Sequence, residues 1–332
     1  MRKLKNIILN KKIYKIALSA LLIILAIGGI YLNSMFNKIN YQEQQLVTNP
    51  AVEINDNMPS RHSEPRVDNK DLFIKDKDTD ILTNKDIVNI LLIGKDISSE
   101  ENNPRSDSMI IATVNKKSNS IKLTSLMRDM YVQIPNYDDN RINASYAIGG
   151  MDLLTETVKV NFQVRIDGCI EVDFAGFEEI IDKIGGVDIE LNRDEAYYLS
   201  KQSGLSLKSG TNNLNGETAL KYARIRYIGH DDYERTERQR KVLISVFNKL
   251  KDSNIKTLLS IADDILPLIT TNLTSPQILG LVTNVILMDV SEIETYRIPA
   301  DGTFTPATIN DMAVLIPDLP KNRELLKEYI GY

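Results

Sequence analysis

The chain has 332 residues, 40 basic and 45 acidic side chains, a formal net charge of −5, one cysteine and two histidines. This acidic balance excludes a nucleic-acid-binding domain, which is basic overall. The lone cysteine excludes an intrachain disulfide, and two histidines exclude multi-histidine zinc centres and argue against a serine–histidine triad. Any metal is therefore bound through oxygen, which points to magnesium or manganese.

The N-terminal stretch carries Arg2, Lys3, Lys5, Lys11, Lys12 and Lys15 and no acid, followed by the uncharged run Ile16–Leu32. That run is just long enough to span a bilayer as a helix. Its basic flank places the N-terminus in the cytoplasm and the remainder outside. No small-x-small cleavage site follows, so an uncleaved single-pass membrane anchor (residues 1–32) is expected rather than a signal peptide. Setting aside those six bases leaves 34 basic against 45 acidic residues outside the membrane. Residues 33–86 are polar, carry Pro50, Pro59 and Pro65, lack sustained periodicity and read as a mobile extracellular stalk.

From residue 87 onward strand and helix signals alternate. Ile87–Ile93 is nearly all apolar, as a strand covered on both faces is. Ser108–Val114 and Ile121–Met127, joined by the turn residues 115–119, form a hairpin, and Met130–Ile134 continues extended. Asp152–Val160 reads as helix and Arg165–Val172 as strand. Cys169 lies in that strand as a small core residue with no histidine near it in sequence. Phe174–Ile184 is a helix closed by Gly185-Gly186. Val187–Leu191 is a strand, and Gly216–Ala223 and Glu234–Leu250 are helices. The rest carries two helix candidates and a strand-like segment, Glu292–Thr303, expected to add a strand to the same fold. The pattern predicts an α/β fold, an α-β-α sandwich with a mixed central sheet over residues 87–332, preceded by one transmembrane helix.

The clearest chemical signal is a basic knot in this acidic background: Arg224, Arg226, Arg235, Arg238, Arg240 and Lys241. Arginine's planar fork suits phosphate. Arg224 and Arg226 share a face if extended. Arg235, Arg238 and Gln239 form a helical stripe that continues into Val242, Val246 and Phe247, and a helix N-terminus favours an anion. The competing reading is a solvated charged face with Glu234 and Glu237 as partners. Asp96 and Asp107 sit at strand boundaries, where open α/β sheets bind ligands. They either cap turns or hold one Mg²⁺ together with phosphate oxygens. Arg105, Arg128 and Arg141 are each read equally as ion-pair partners or as ligand contacts.

In order, the segments NILLIGKD, RSDSM, LMRDMYV, RINASY, GGVD, LNGETALKYARIR and ERTERQ resemble the LytR–CpsA–Psr family across residues 88–250. The resemblance implies a Mg²⁺-dependent phosphotransferase. Such an enzyme moves a glycopolymer (teichoic acid, capsule or a related chain) from an undecaprenyl-pyrophosphate carrier to a peptidoglycan sugar hydroxyl. The family's metal ligands then fall on Asp96 and Asp107, and its pyrophosphate-binding residues on Arg105, Arg128, Arg224, Arg226, Arg235, Arg238 and Gln239. Arg128, Arg226 and Asp107 would be catalytic, and the lipid tail would lie in an apolar pocket between sheet and helices. The chain departs from the usual pattern at Lys95, a cation before the first Asp, and at Met127, Arg141 and Arg240. A pyrophosphate hydrolase and a non-catalytic lipid-linked-glycan binder are the alternatives. A transcriptional regulator is disfavoured by the short cytoplasmic segment.

Overall fold

The computed structural model describes residues 33–42, 84–96, 105–226, 228, 232–251, 253–288, 290 and 292–332. The apolar run 16–32 lies outside them, as does most of the expected stalk. Among the described residues no helix is long and apolar enough to cross a membrane.

The described residues form thirteen strands and eight α-helices. The central sheet is built from β1 (Asn40–Tyr41), β2 (Ile87–Asp96), β3 (Arg105–Asn115), β4 (Ser120–Leu126), β7 (Gly168–Asp173), β10 (Thr270–Thr271) and β11 (Ile293–Ile298). Their order across the sheet is β1-β10-β7-β2-β3-β4-β11. It is mixed: β2 runs parallel to β7 and antiparallel to β3, and β4 runs parallel to β11. The continuous apolar run of β2 follows from its central place, since each face must be covered. Residues alternate between two cores. Leu91, Ile93, Met109 and Ile111 pack with Val158, Phe162, Leu326 and Ile330. These last belong to α1 (Ile142–Phe162) and α8 (Leu319–Ile330). On the opposite face Leu92, Ile110 and Leu123 meet Leu243, Phe247, Leu281 and Val285, from α5 (Asp232–Lys251) and α7 (Ser275–Leu287). Two covered faces make the expected three-layer sandwich.

A further apolar cluster joins α2 (Phe174–Lys183), α3 (Arg193–Ser203), α4 (Gly216–Ala223) and the hairpin β8 (Val187–Leu191)–β9 (Gly210–Leu214) to Val242 of α5. Cys169 is buried in the core, and burial pushes its thiol up to about 11. The strand expected near Glu292–Thr303 is β11, paired along its whole length with β4.

Several elements differ from expectation. α1 begins at Ile142 rather than Asp152, because two helical segments run together across a kink at Gly149–Gly150, where Gly150 takes φ +60°. The short pair β5 (Tyr131–Val132)–β6 (Asn140–Arg141) leads into it. α3 and the hairpin β12 (Phe304–Ile309)–β13 (Met312–Pro317) had no clear periodic signal. The largest difference is at the start of the expected stalk. Residues 33–42 are docked: Met35 and Ile39 are buried against Leu266, and β1 pairs with β10. Lys38 also pairs with Asp263 of α6 (Ile255–Ile265) at 2.6 Å.

Candidate active site

Between the sheet and helices α2, α4 and α5 lies a cavity of about 660 Å³. Its body is apolar, with Leu92, Ile170, Phe177, Ile180, Val242 and Val246 among the lining side chains. Its polar lining is Asp96, Asp107, Asp173, Arg224, Arg226, Arg235, Gln239 and Ser108. Six of the residues picked out from the sequence thus line one chamber.

The strands place the two carboxylates through a bulge. β2 and β3 pair in register up to Gly94↔Ser108, then resume at Lys95↔Ser106, leaving Asp107 as the extra residue. In an unbroken strand Asp107 and Ser108 face opposite ways. A bulge re-aims one side chain, and here both line the cavity. Gly94 permits the close approach, since a Cβ there would sit 3.1 Å from Ser108 Cβ. Ser108 donates to Gln239 Oε1 at 3.1 Å, fixing α5 against β3.

The arginines divide into two groups. Arg224 caps α4 and, with Arg226, flanks the buried Ile225, so both guanidiniums face outward from the same segment. Arg224 Nη2 is 3.7 Å from Asp96, Arg226 Nη2 is 3.7 Å from Asp107, and Arg224 lies over the Phe174 ring. Arg235 is 3 % exposed yet lines the cavity. Its Nη1 stands 3.2 Å from Asp232 but is misaligned for a hydrogen bond, and neither Nε nor Nη1 has a hydrogen-bond partner among the described residues. Burial, and then Arg128 and Arg226, lower its pKa against Asp232. A buried guanidinium with unused donors is a preorganised anion site.

Arg128 follows β4 and donates to Asp107 at 2.8 Å. Behind it, Asp129 and Asp232 stand 3.5 and 3.4 Å from Arg128 Nε. Burial opposes the Arg128 charge, but these three carboxylates outweigh it and raise its pKa. Asp129 titrates above the ordinary carboxylate range, pushed up first by burial and then, against Arg128, by a hydrogen bond to Asp232. Burial also works to raise Asp232, but Arg235 and Arg128 hold it below that range. Asp232 was missed in the sequence. Its one signal is its place in the first turn of α5, three residues before Arg235.

Arg238 is a correction. It is absent from the cavity lining and spends its fork inside the protein: Nε on Glu195 at 2.8 Å, Nη1 on the Ile225 carbonyl, Nη2 on the Ile228 carbonyl and Glu234. Glu195 is held for this by the capping box of α3, in which its other oxygen accepts from Asn192 N. Glu237 pairs with Lys241. Lys241 thus follows the charged-face reading, Arg238 and Arg240 are buried and bonded inside the protein, and Arg224, Arg226 and Arg235 face the cavity. Arg105 contributes backbone to β3 opposite Asp96, and its side chain is outside what the structure describes. Lys95 turns from the cavity to Glu171 at 2.6 Å. Arg141 reaches Asp129 at 3.4 Å and the Ala313 carbonyl. Arg240 is buried, donates to Ser125, and is lowered by burial to about 10. Met127 is buried, and its N–H donates to the Ile298 carbonyl at 2.9 Å.

Among the described residues no group of three or more His, Cys, Asp and Glu gathers as a metal cage. Asp96 and Asp107 supply two hard oxygen donors and no nitrogen or sulfur. That set fits Mg²⁺ or Mn²⁺, which is usually held by one or two carboxylates with substrate phosphates and water completing the shell.

The model of the LytR_cpsA_psr family matches residues 43–329. The chain belongs to that family. Similar LytR–CpsA–Psr members include polyisoprenyl-teichoic acid–peptidoglycan teichoic acid transferase TagU of Bacillus cereus. It is 36 % identical over 220 residues, covering 65 % of this chain and 69 % of TagU. Regulatory protein MsrR of Staphylococcus aureus is 28 % identical over 249 residues, covering 73 % and 74 %. Among solved structures, that of Bacillus subtilis YwtF (TagT) with bound octaprenyl pyrophosphate lipid superposes with TM-score 0.59 at 25 % identity, covering 79 % of this chain and 95 % of that one.

Proposed function

We propose that this LytR–CpsA–Psr protein transfers an anionic glycopolymer from an undecaprenyl-pyrophosphate carrier onto a peptidoglycan sugar hydroxyl outside the cell. The observation that carries this reading is the one chamber whose lining joins an apolar body to Asp96, Asp107 and three guanidiniums. A polyprenyl diphosphate has the same two-part chemistry. The names of TagU and of the lipid-bound TagT structure support it.

Phosphoryl transfer needs positioning and charge neutralisation more than covalent help. The acceptor oxygen attacks the polymer-proximal phosphorus, the phosphoanhydride P–O bond breaks, and undecaprenyl phosphate leaves with the bond's electron pair. Arg235 would hold the diphosphate from within through its unused donors, and Arg224 and Arg226 would close over it from the exposed side. Arg128 holds Asp107 in place. Asp96 and Asp107 would bind Mg²⁺ or Mn²⁺, which neutralises pyrophosphate charge when bound. The hydroxyl proton would pass to Asp107, to Asp129 or to a metal-bound water; Asp107 lines the cavity and Asp129 lies one guanidinium behind it, which favours Asp107 over Asp129.

The test incubates the full-length protein with lipid-linked polymer and peptidoglycan, with and without Mg²⁺. Polymer joined to peptidoglycan, lost in Arg226→Ala, is the expected result. Free polymer and lipid phosphate without linkage would instead mean hydrolysis, and unchanged lipid a binding role.

A further inference from the structure

The face of the domain beside the N-terminal segment carries a helix whose outer side is bare. α7 has no charged residue in thirteen positions. Its inner stripe, Leu281 and Val285, packs in the cluster that contains Leu92, Ile110 and Leu243, three residues that also line the cavity. Its outer stripe, Leu279, Val282, Ile286 and Leu287, is exposed, Leu287 to 78 %. The stripe follows the helical period on the side away from the core, and none of α7 is fully buried. A contiguous exposed apolar stripe on a folded domain marks an interaction surface.

The chain path says what covers it. The first described residue, Asn33, directly follows the apolar run 16–32. From there Met35 and Ile39 are buried in a cluster that Phe36 and Ile278 of α7 pack against. Tyr41 Oη lies 2.9 Å from Ser275 Oγ at the first position of α7, and the Tyr41 ring is itself exposed. Tyrosine at that level is the side chain that membrane–water interfaces enrich. The point at which the chain leaves the apolar run is thus within one packed cluster of α7.

We infer that α7 is a monotopic membrane helix: its Leu279–Val282–Ile286–Leu287 stripe lies in the outer-leaflet interface and sets the tail end of the cavity against the bilayer. The occupant is lipid acyl chain, which an uncharged apolar helix face beside a membrane exit matches. The inference rests on the proposed membrane anchoring. It adds a placement: the cavity wall formed by Leu92, Ile110 and Leu243 is backed by the helix that faces the bilayer, while the diphosphate is drawn to the arginines.

The test uses full-length protein in liposomes, with single cysteines carrying an environment-sensitive fluorophore. The native Cys169 is fully buried and contributes no label. Labels go at Val282→Cys and Ile286→Cys, at Leu22→Cys within the apolar run, and at Ser206→Cys on the loop between α3 and β9 as background. Lipids brominated on the acyl chain should quench positions 282, 286 and 22, each with a blue shift over the detergent-free aqueous value, and leave 206 unchanged. Quenching at 22 with none at 282 and 286 overturns the inference and leaves the anchoring intact. Absence of quenching at 22 overturns the anchoring, and the inference with it. Pyrene excimer emission between copies labelled at 282, without lipid quenching, assigns the stripe to a second copy of the chain and also overturns it.

Discussion

Replacing Arg235 by methionine separates binding from folding more cleanly than any other change at this site. The guanidinium is buried, with Nε and Nη1 lacking hydrogen-bond partners among the described residues. Leaving such donors unmet costs the resting protein about 1–3 kcal/mol each, and filling them with phosphate oxygens gains about 1.5–3 kcal/mol each. Arg235→Met removes both bonds to the substrate, a loss of about 3–6 kcal/mol, or about 10²–10⁴-fold in kcat/KM. The fold loses little. Asp232 forfeits its 3.2 Å partner but keeps Arg128 at 3.4 Å, and relief of two stranded donors offsets that, so the melting temperature moves by only a few degrees. The assay is transfer of radiolabelled lipid-linked polymer, with thermal melts on the same preparation. Retention of activity to within tenfold, or a loss that follows a steep fall in melting temperature, would refute the assignment of Arg235 as a preorganised anion donor.

Arg238→Met, three residues on, should behave in the opposite way: it strands the buried Glu195 and costs about 3–5 kcal/mol of stability, read as a large fall in the urea midpoint, with residual folded protein still active. The Asp129 carboxyl is raised in the folded state, so its contribution to stability is present below its unfolded pKa of about 4 and is lost as pH rises through the folded value. Asp129→Asn keeps the uncharged form throughout, and its urea midpoint relative to the parent should therefore rise as the pH is raised above about 4; a flat difference would show that Asp129 titrates normally. Chelation should abolish transfer, with Mg²⁺ or Mn²⁺ restoring it and Asp96→Ala preventing the restoration. Lys95→Ala should leave the metal requirement unchanged while destabilising the fold by about 1–3 kcal/mol through the buried Glu171, seen as a lower melting temperature with kcat maintained in the folded fraction.

The central strands could be read directly because their periods match what packs on them: β2 is apolar from Ile87 to Ile93 except at Asn89 as it has two covered faces, and β8 alternates as it has one. The knot was legible as a charge anomaly but not as a division of labour. Which arginine faces the chamber depends on where Glu195 sits, and α3, which carries it, has the polar sequence RDEAYYLSKQS with no apolar stripe to betray it. Asp107 could be named but not aimed, because the bulge that turns it belongs to the pairing of two strands rather than to either one. The β12–β13 hairpin did leave a signal: Asn310 and Asp311, both at positive φ, are the residue types that a two-residue hairpin turn selects. Pro306, inside β12, obscured it.

On the proposed anchoring, the docked segment at residues 33–42 also sets how far the domain stands from the bilayer. Only Asn33 and Ser34 separate the apolar run from the buried Met35, and three residue steps span at most about 10 Å of chain. With the proposed anchor in the bilayer, the catalytic domain has no tether length with which to explore the depth of the wall. On the proposed reading it would work as a fixed station at the membrane surface, to which the acceptor glycan would have to come down.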